Sequence, residues 1–147
     1  MRIKGYPNWF YTFLMWAVAA LFVTGCLLAP TTISIKLEWD VPWRLSSEQH
    51  IGMAAAHATL SFLMMGIIGA LWSIHMRAGW KRRRNHQTGL SLLIFMMLLG
   101  ISAIGIYYLG DEQASMYSSV AHMLMGIIVP LFLLTHIVIG CRYQIHH

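Results

Sequence analysis

His57, His122 and His136 lie inside long apolar runs that contain no Asp, Glu, Lys or Arg, and His75 and His86 stand at the ends of such runs. A strongly polar ring is costly in that setting, so each such histidine is a functional-site hypothesis by default, weighed against a plain interhelical hydrogen bond. Their spacing carries more information than their number. His122 and His136 are 14 residues apart. At about 100° per residue they fall about 40° from the same direction, on one helix face, with a rise of about 21 Å. His57 and His75 are 18 residues apart, five full turns, and share a face too.

Two imidazoles about 21 Å apart cannot share one ion, and a zinc site needs its ligands in one tetrahedral shell. No carboxylate lies in the runs beside them. Neutral imidazoles in apolar surroundings suit the axial positions of haem iron. One helix carrying a ligand near each of its ends would serve two haems, or at least one. Gly126 lies one turn from His122 on that face and leaves room for a flat macrocycle, and Pro130 between the two histidines is expected to bend the helix. At matching depth, His57 is the partner expected for His122. For His136 there are two candidates, His86 and His75. The 11 methionines are expected to pack around such a site rather than ligate.

These residues need long apolar helices to hold them, and the composition supplies them. The 147-residue chain is 58% hydrophobic and only 10% charged, against about 25% charged in a soluble domain. Such a chain could not cover its own surface with polar groups, which excludes an ordinary soluble enzyme or a disordered tail. Two cysteines, Cys26 and Cys141, make neither a disulfide framework nor a Cys-x-x-Cys site. Four runs are long enough to cross a bilayer, at about 9–29, 52–74, 90–109 and 120–139. Backbone groups in lipid must be paired within the segment, so the runs are expected to be helices. The fold class is all-α: one integral membrane four-helix bundle over residues 1–147. Val23–Cys26 resembles a lipoprotein cleavage box, but the run around it is long enough to span and is read as the first helix.

Eight of the ten basic residues fall on one side of these spans: Arg2, Lys4, Arg77, Lys81, Arg82, Arg83, Arg84 and Arg142. All five acids fall on the other. The positive-inside rule then puts both termini in the cytoplasm. The net charge of +5 is explained by anionic lipid rather than nucleic acid. The longest connection, about 30–49, carries Trp39 and Trp43 as an interfacial segment would, and Ser46 and Gln49 stand at capping-box spacing. The halves resemble each other, each a helical hairpin whose second helix carries histidine near its start (Ala56-His57, Ala121-His122) followed by a Met-Gly-Ile-Ile run. A repeat about an axis along the membrane normal would set the second and fourth helices face to face.

His86-Gln87-Thr88-Gly89 opening a helix that reaches Ala103-Ile104-Gly105, followed by Ala121-His122 and His136, resembles the small bacterial membrane cytochrome b proteins. These include the cytochrome subunits of formate dehydrogenases and nickel–iron hydrogenases. The likeness covers the second to fourth spans. It implies two b haems between helices, exchange of electrons with a quinone pool, and a place in the bacterial inner membrane. Residue by residue it implies His57 with His122 at one haem and favours His86 over His75 as the partner of His136 at the other. This chain departs from the formate dehydrogenase pattern at the start of the first span, where it has Asn8-Trp9 instead of a ligand.

The functional expectation is a membrane b-type cytochrome, an electron-transfer subunit rather than an enzyme alone. Its expected partners are lipid, quinone or quinol, a redox protein or larger complex, or a second copy of itself. The alternative is a haem-free scaffold or accessory subunit whose histidines bond neighbouring helices. A proton or ion pathway is a weaker reading, because the spans hold no acidic relay.

Overall fold

The structure, a computed structural model, describes residues 5–82 and 85–145. Arg2, Lys4, Arg83, Arg84, His146 and His147 lie outside the described residues. All regular structure among the described residues is helical: α1 (Asn8–Lys36), α2 (Ser47–Leu71), a π-turn (Trp72–Met76), α3 (Arg77–Arg82), α4 (His86–Tyr108) and α5 (Glu112–Ile145). The π-turn and α3 continue α2, so the chain makes four rods. All four are long and apolar enough to cross a membrane. The chain is therefore a multi-pass membrane protein, an all-α four-helix bundle. The end carrying residues 37–46 and 109–111 is called upper below, and the end carrying α3 lower.

Local chemistry sets where the helices start. Ser46 and Gln49 form the expected capping box, with Gln49 N–H donating to Ser46 Oγ at 3.4 Å and Ser46 N–H to Gln49 Oε1 at 3.2 Å. Asp111 caps α5 by accepting the Ala114 N–H at 2.7 Å. Asn85 precedes α4 with φ of 52°, a left-handed conformation that asparagine tolerates because its short side chain bonds locally. The helices run beyond the apolar stretches. In particular, α1 continues through Pro30 to Lys36, so the first connection begins seven residues later than the sequence implied. Proline removes one hydrogen bond, and the turn after it is held from outside: Thr31 Oγ1 accepts the Leu45 N–H at 3.0 Å, and Arg44 donates to Ser34 Oγ at 3.0 Å. Likewise α5 passes through Pro130 unbroken.

The rods pair as α1 with α2 and α4 with α5, with α1 also against α5. The first pair encloses a small core of Phe10, Ala17, Met64 and Ile67. In the second pair the backbones approach closely at Gly105, where an added Cβ would meet Ser118 Oγ and lie 2.9 Å from Ser118 Cβ. At the upper end Lys36 donates to Ser115 Oγ at 2.8 Å and Ser115 donates to the Ile106 carbonyl at 3.0 Å, joining α1, α4 and α5. By contrast α2 and α5, the two histidine-bearing rods, make little backbone contact with each other. The molecule exposes 10211 Å², against about 7,600 Å² for a compact soluble monomer of its mass. The excess reflects long rods around a thin core.

Gly105→Ala should force α4 and α5 apart and destabilise by about 1–3 kcal/mol, the usual cost of overpacking. Gly100→Ala, on the same helix but facing open space, should be neutral or better. Thermal unfolding of the two variants in one detergent checks this; equal midpoints would mean that the α4–α5 approach is not as tight as described.

Candidate functional site

The gap between α2 and α5 is bridged by histidines. At the upper end the rings of His57 and His122 face each other with centroids 6.2 Å apart and planes at 75°. At the lower end His75 and His136 repeat the arrangement at 6.1 Å and 80°. The expected meeting of His57 with His122 is present as a juxtaposition. That of His86 with His136 is not: His86 sits at the start of α4 with its ring against Trp80, at 5.9 Å. The reason lies in α2. Its π-turn carries His75 opposite His136, while the left-handed turn at Asn85 starts α4 beside Trp80.

Three of the four rings are oriented through the same nitrogen. His57 Nδ1 lies 2.8 Å from Thr24 Oγ1. The Thr24 hydroxyl spends its proton on the carbonyls of Ala20 and Leu21, at 2.8 and 3.1 Å. It therefore accepts from His57 Nδ1–H, and the lone pair of His57 resides on Nε2. His122 Nδ1 lies 3.1 Å from the Leu99 carbonyl, which can only accept, and 2.9 Å from Ser102 Oγ. Its Nε2 carries the lone pair for the same reason. His136 Nδ1 is engaged by Thr88 Oγ1 at 2.8 Å and approached by Asn85 Nδ2 at 3.2 Å. Thr88 donates in turn to Asn85 Oδ1, and Asn85 Nδ2 donates to the His136 carbonyl at 2.8 Å. His75 makes no hydrogen bond among the described residues.

Glycine completes two of these seats. A Cβ on Gly25 would lie 3.4 Å from His57 Cε1, and one on Gly89 would lie 3.3 Å from His136 Cε1. The dipeptides Thr24-Gly25 and Thr88-Gly89 thus repeat one arrangement: the hydroxyl lies 2.8 Å from the ring Nδ1 and the absent side chain admits the ring. Sequence reasoning missed Thr24, Ser102 and Asn85 as site residues. The repeated Thr-Gly pair, within the first apolar run and just before the third, was the available signal for Thr24.

The donor set can be tested against a metal group. Among the described residues no cluster of three or more His, Cys, Asp or Glu exists, so a four-ligand protein cage is not formed here. Two imidazoles bound end-on to one ion, with about 2.0–2.1 Å from nitrogen to metal and about 1.15 Å from nitrogen to ring centre, have centroids about 6.3 Å apart. The observed centroid separations of 6.2 and 6.1 Å, with planes at 75° and 80°, are of that size at both ends. A pair supplies only two axial ligands, so the equatorial ones must come with the group itself, as a haem provides them. Gly126, next to His122 on α5, has no atom within 4 Å of an added Cβ, which agrees with space kept beside the ring. Each end thus offers two imidazoles at the separation that a group with two open coordination positions would need.

No protein-family model, curated protein or solved structure matches this chain.

Nitrogen NMR of histidine-labelled protein in detergent should find His57 and His122 in the Nδ1–H form. Thr24→Val should release His57 from that form and leave His122 unchanged. A wild-type His57 protonated at Nε2 would contradict the assignment of the Thr24 hydroxyl as acceptor.

Proposed function

We propose that this chain is a membrane b-type cytochrome that relays electrons through two bis-histidine haems, one held by His57 with His122 and the other by His75 with His136. The observation that carries the reading is the recurrence, at both ends of the bundle, of an imidazole pair at the separation of two axial ligands. Haem, when bound, supplies a reversible one-electron couple whose potential depends on ligands, burial and hydrogen bonding. The chain's own residues set those conditions. Thr24 and Ser102 orient His57 and His122 through Nδ1, and Thr88 with Asn85 holds His136, a support whose loss typically costs 10–100-fold in metal affinity.

Two sites stacked along the rods support electron passage from one membrane face to the other, between a quinone or quinol and a redox partner protein. An open groove on the outer face of α4 and α5, with Gly105, Tyr117 and Ser118 in its wall, reaches Ser102, the residue bonded to His122. The charge asymmetry supports a cytoplasmic lower end: Arg77, Lys81 and Arg142 lie there, while Glu38, Asp40, Glu48, Asp111 and Glu112 lie at the upper end. The resemblance to small bacterial membrane cytochromes supports placement in a bacterial inner membrane.

The protein purified from haem-replete cells should show a reduced-minus-oxidised b-type spectrum and two haems per chain by pyridine haemochrome. His122→Ala and His136→Ala should each retain about one, and His86→Ala should retain both. Loss of a haem in His86→Ala would return His86 to the lower site. A colourless protein would leave the histidines as interhelical hydrogen-bond partners in a scaffold or accessory subunit.

A further inference from the structure

The two histidine sites are alike in separation but not in support. At the upper site both rings are held at Nδ1, His57 by Thr24 and His122 by the Leu99 carbonyl and Ser102, and both residues are half-buried. At the lower site His136 is held at Nδ1 by Thr88 and is half-buried as well. His75 differs in three independent ways. It is exposed. Its ring makes no hydrogen bond among the described residues. It sits in the π-turn Trp72–Met76, where the helix departs from its regular ladder.

That turn is braced from outside. The Ala70 carbonyl just before it accepts from the Tyr6 hydroxyl at 2.6 Å and from Ser73 Oγ at 2.8 Å. Gly5 packs so closely on Ile74 that an added Cβ would lie 2.8 Å from its Cγ2. The brace fixes the backbone next to His75 and leaves the ring itself unheld. Single-turn π segments recur at functional sites because a small change of helical register redirects a side chain. A metal-binding imidazole without a hydrogen-bonded partner is the weaker ligand, by about 10–100-fold where such partners have been removed.

We propose that His75 is a releasable ligand, and that the lower site accepts a small neutral two-electron donor of the carbon monoxide class in its place, while the upper site stays closed to such molecules. This rests on the cytochrome reading above. With a haem held there, the exchange would be a simple substitution in which His75 gives up its place and Nε2 keeps its own electron pair. The incoming molecule supplies the replacing pair, and no electron or proton is transferred.

Carbon monoxide is the probe, added to the dithionite-reduced full chain in detergent with haem counted in the same sample. With two haems per chain, about half of the pigment should shift its spectrum. In His75→Ala the same half should respond at a lower carbon monoxide concentration, because no protein ligand competes. His122→Ala, which removes an upper ligand, should leave the lower response of the wild type in place. A two-haem protein in which no pigment responds, or all of it does, overturns the proposal and leaves the cytochrome reading standing. A protein without haem overturns both.

Discussion

An imidazole carried into an apolar span must find a partner for its N–H, and leaving such a group unpaired costs about 1–3 kcal/mol. Threonine and serine on a neighbouring helix answer this in a particular way. Their own proton is already spent on a carbonyl of their helix, as at Thr24 with Ala20 and Leu21. The hydroxyl can then only accept from the ring. A group that accepts and cannot donate selects the tautomer, and the tautomer decides which nitrogen remains for anything placed between α2 and α5. Each such interhelical bond contributes modestly, about 0.6 kcal/mol on average in membranes. Its consequence is directional rather than energetic.

The remaining architecture follows from serving those rings. The hairpin partners of α2 and α5, namely α1 and α4, bring the hydroxyl partners: Thr24 to His57, and Thr88 and Ser102 to His136 and His122. Tight packing is reserved for the contacts within each hairpin, at the Phe10–Met64 core and at Gly105 against Ser118. Between the hairpins the histidine-bearing rods stand apart. Each hairpin alone presents half of each site, so the two sites exist only when the hairpins dock, and Lys36 to Ser115 is one of the bonds that docks them.

Much of this was legible in the chain. Four uncharged runs of spanning length leave the backbone no alternative to helix, so the rods were readable, and helical periodicity placed His122 with His136 and His57 with His75 on shared faces. Two things were not. A π-turn has no composition of its own, and the Trp72–Met76 segment reads as ordinary helix; nothing short of the three-dimensional register shows that His75 rather than His86 meets His136. Pro30 reads as a stop, because the hydrogen bonds that carry α1 past it come from Leu45 and Arg44 in the following loop. Non-local partners of this kind are invisible to a pattern read along one helix.

The proposed function requires the two ring pairs to act as axial ligand pairs. The observed planes are nearly perpendicular, at 75° and 80°, and low-spin ferric iron between two imidazoles reports the angle between their planes directly. Low-temperature electron paramagnetic resonance of the oxidised protein is therefore the most direct measurement. Perpendicular rings predict a strongly anisotropic low-spin signal dominated by one large g value. A rhombic low-spin spectrum, the signature of parallel rings, or no haem signal at all would contradict the account.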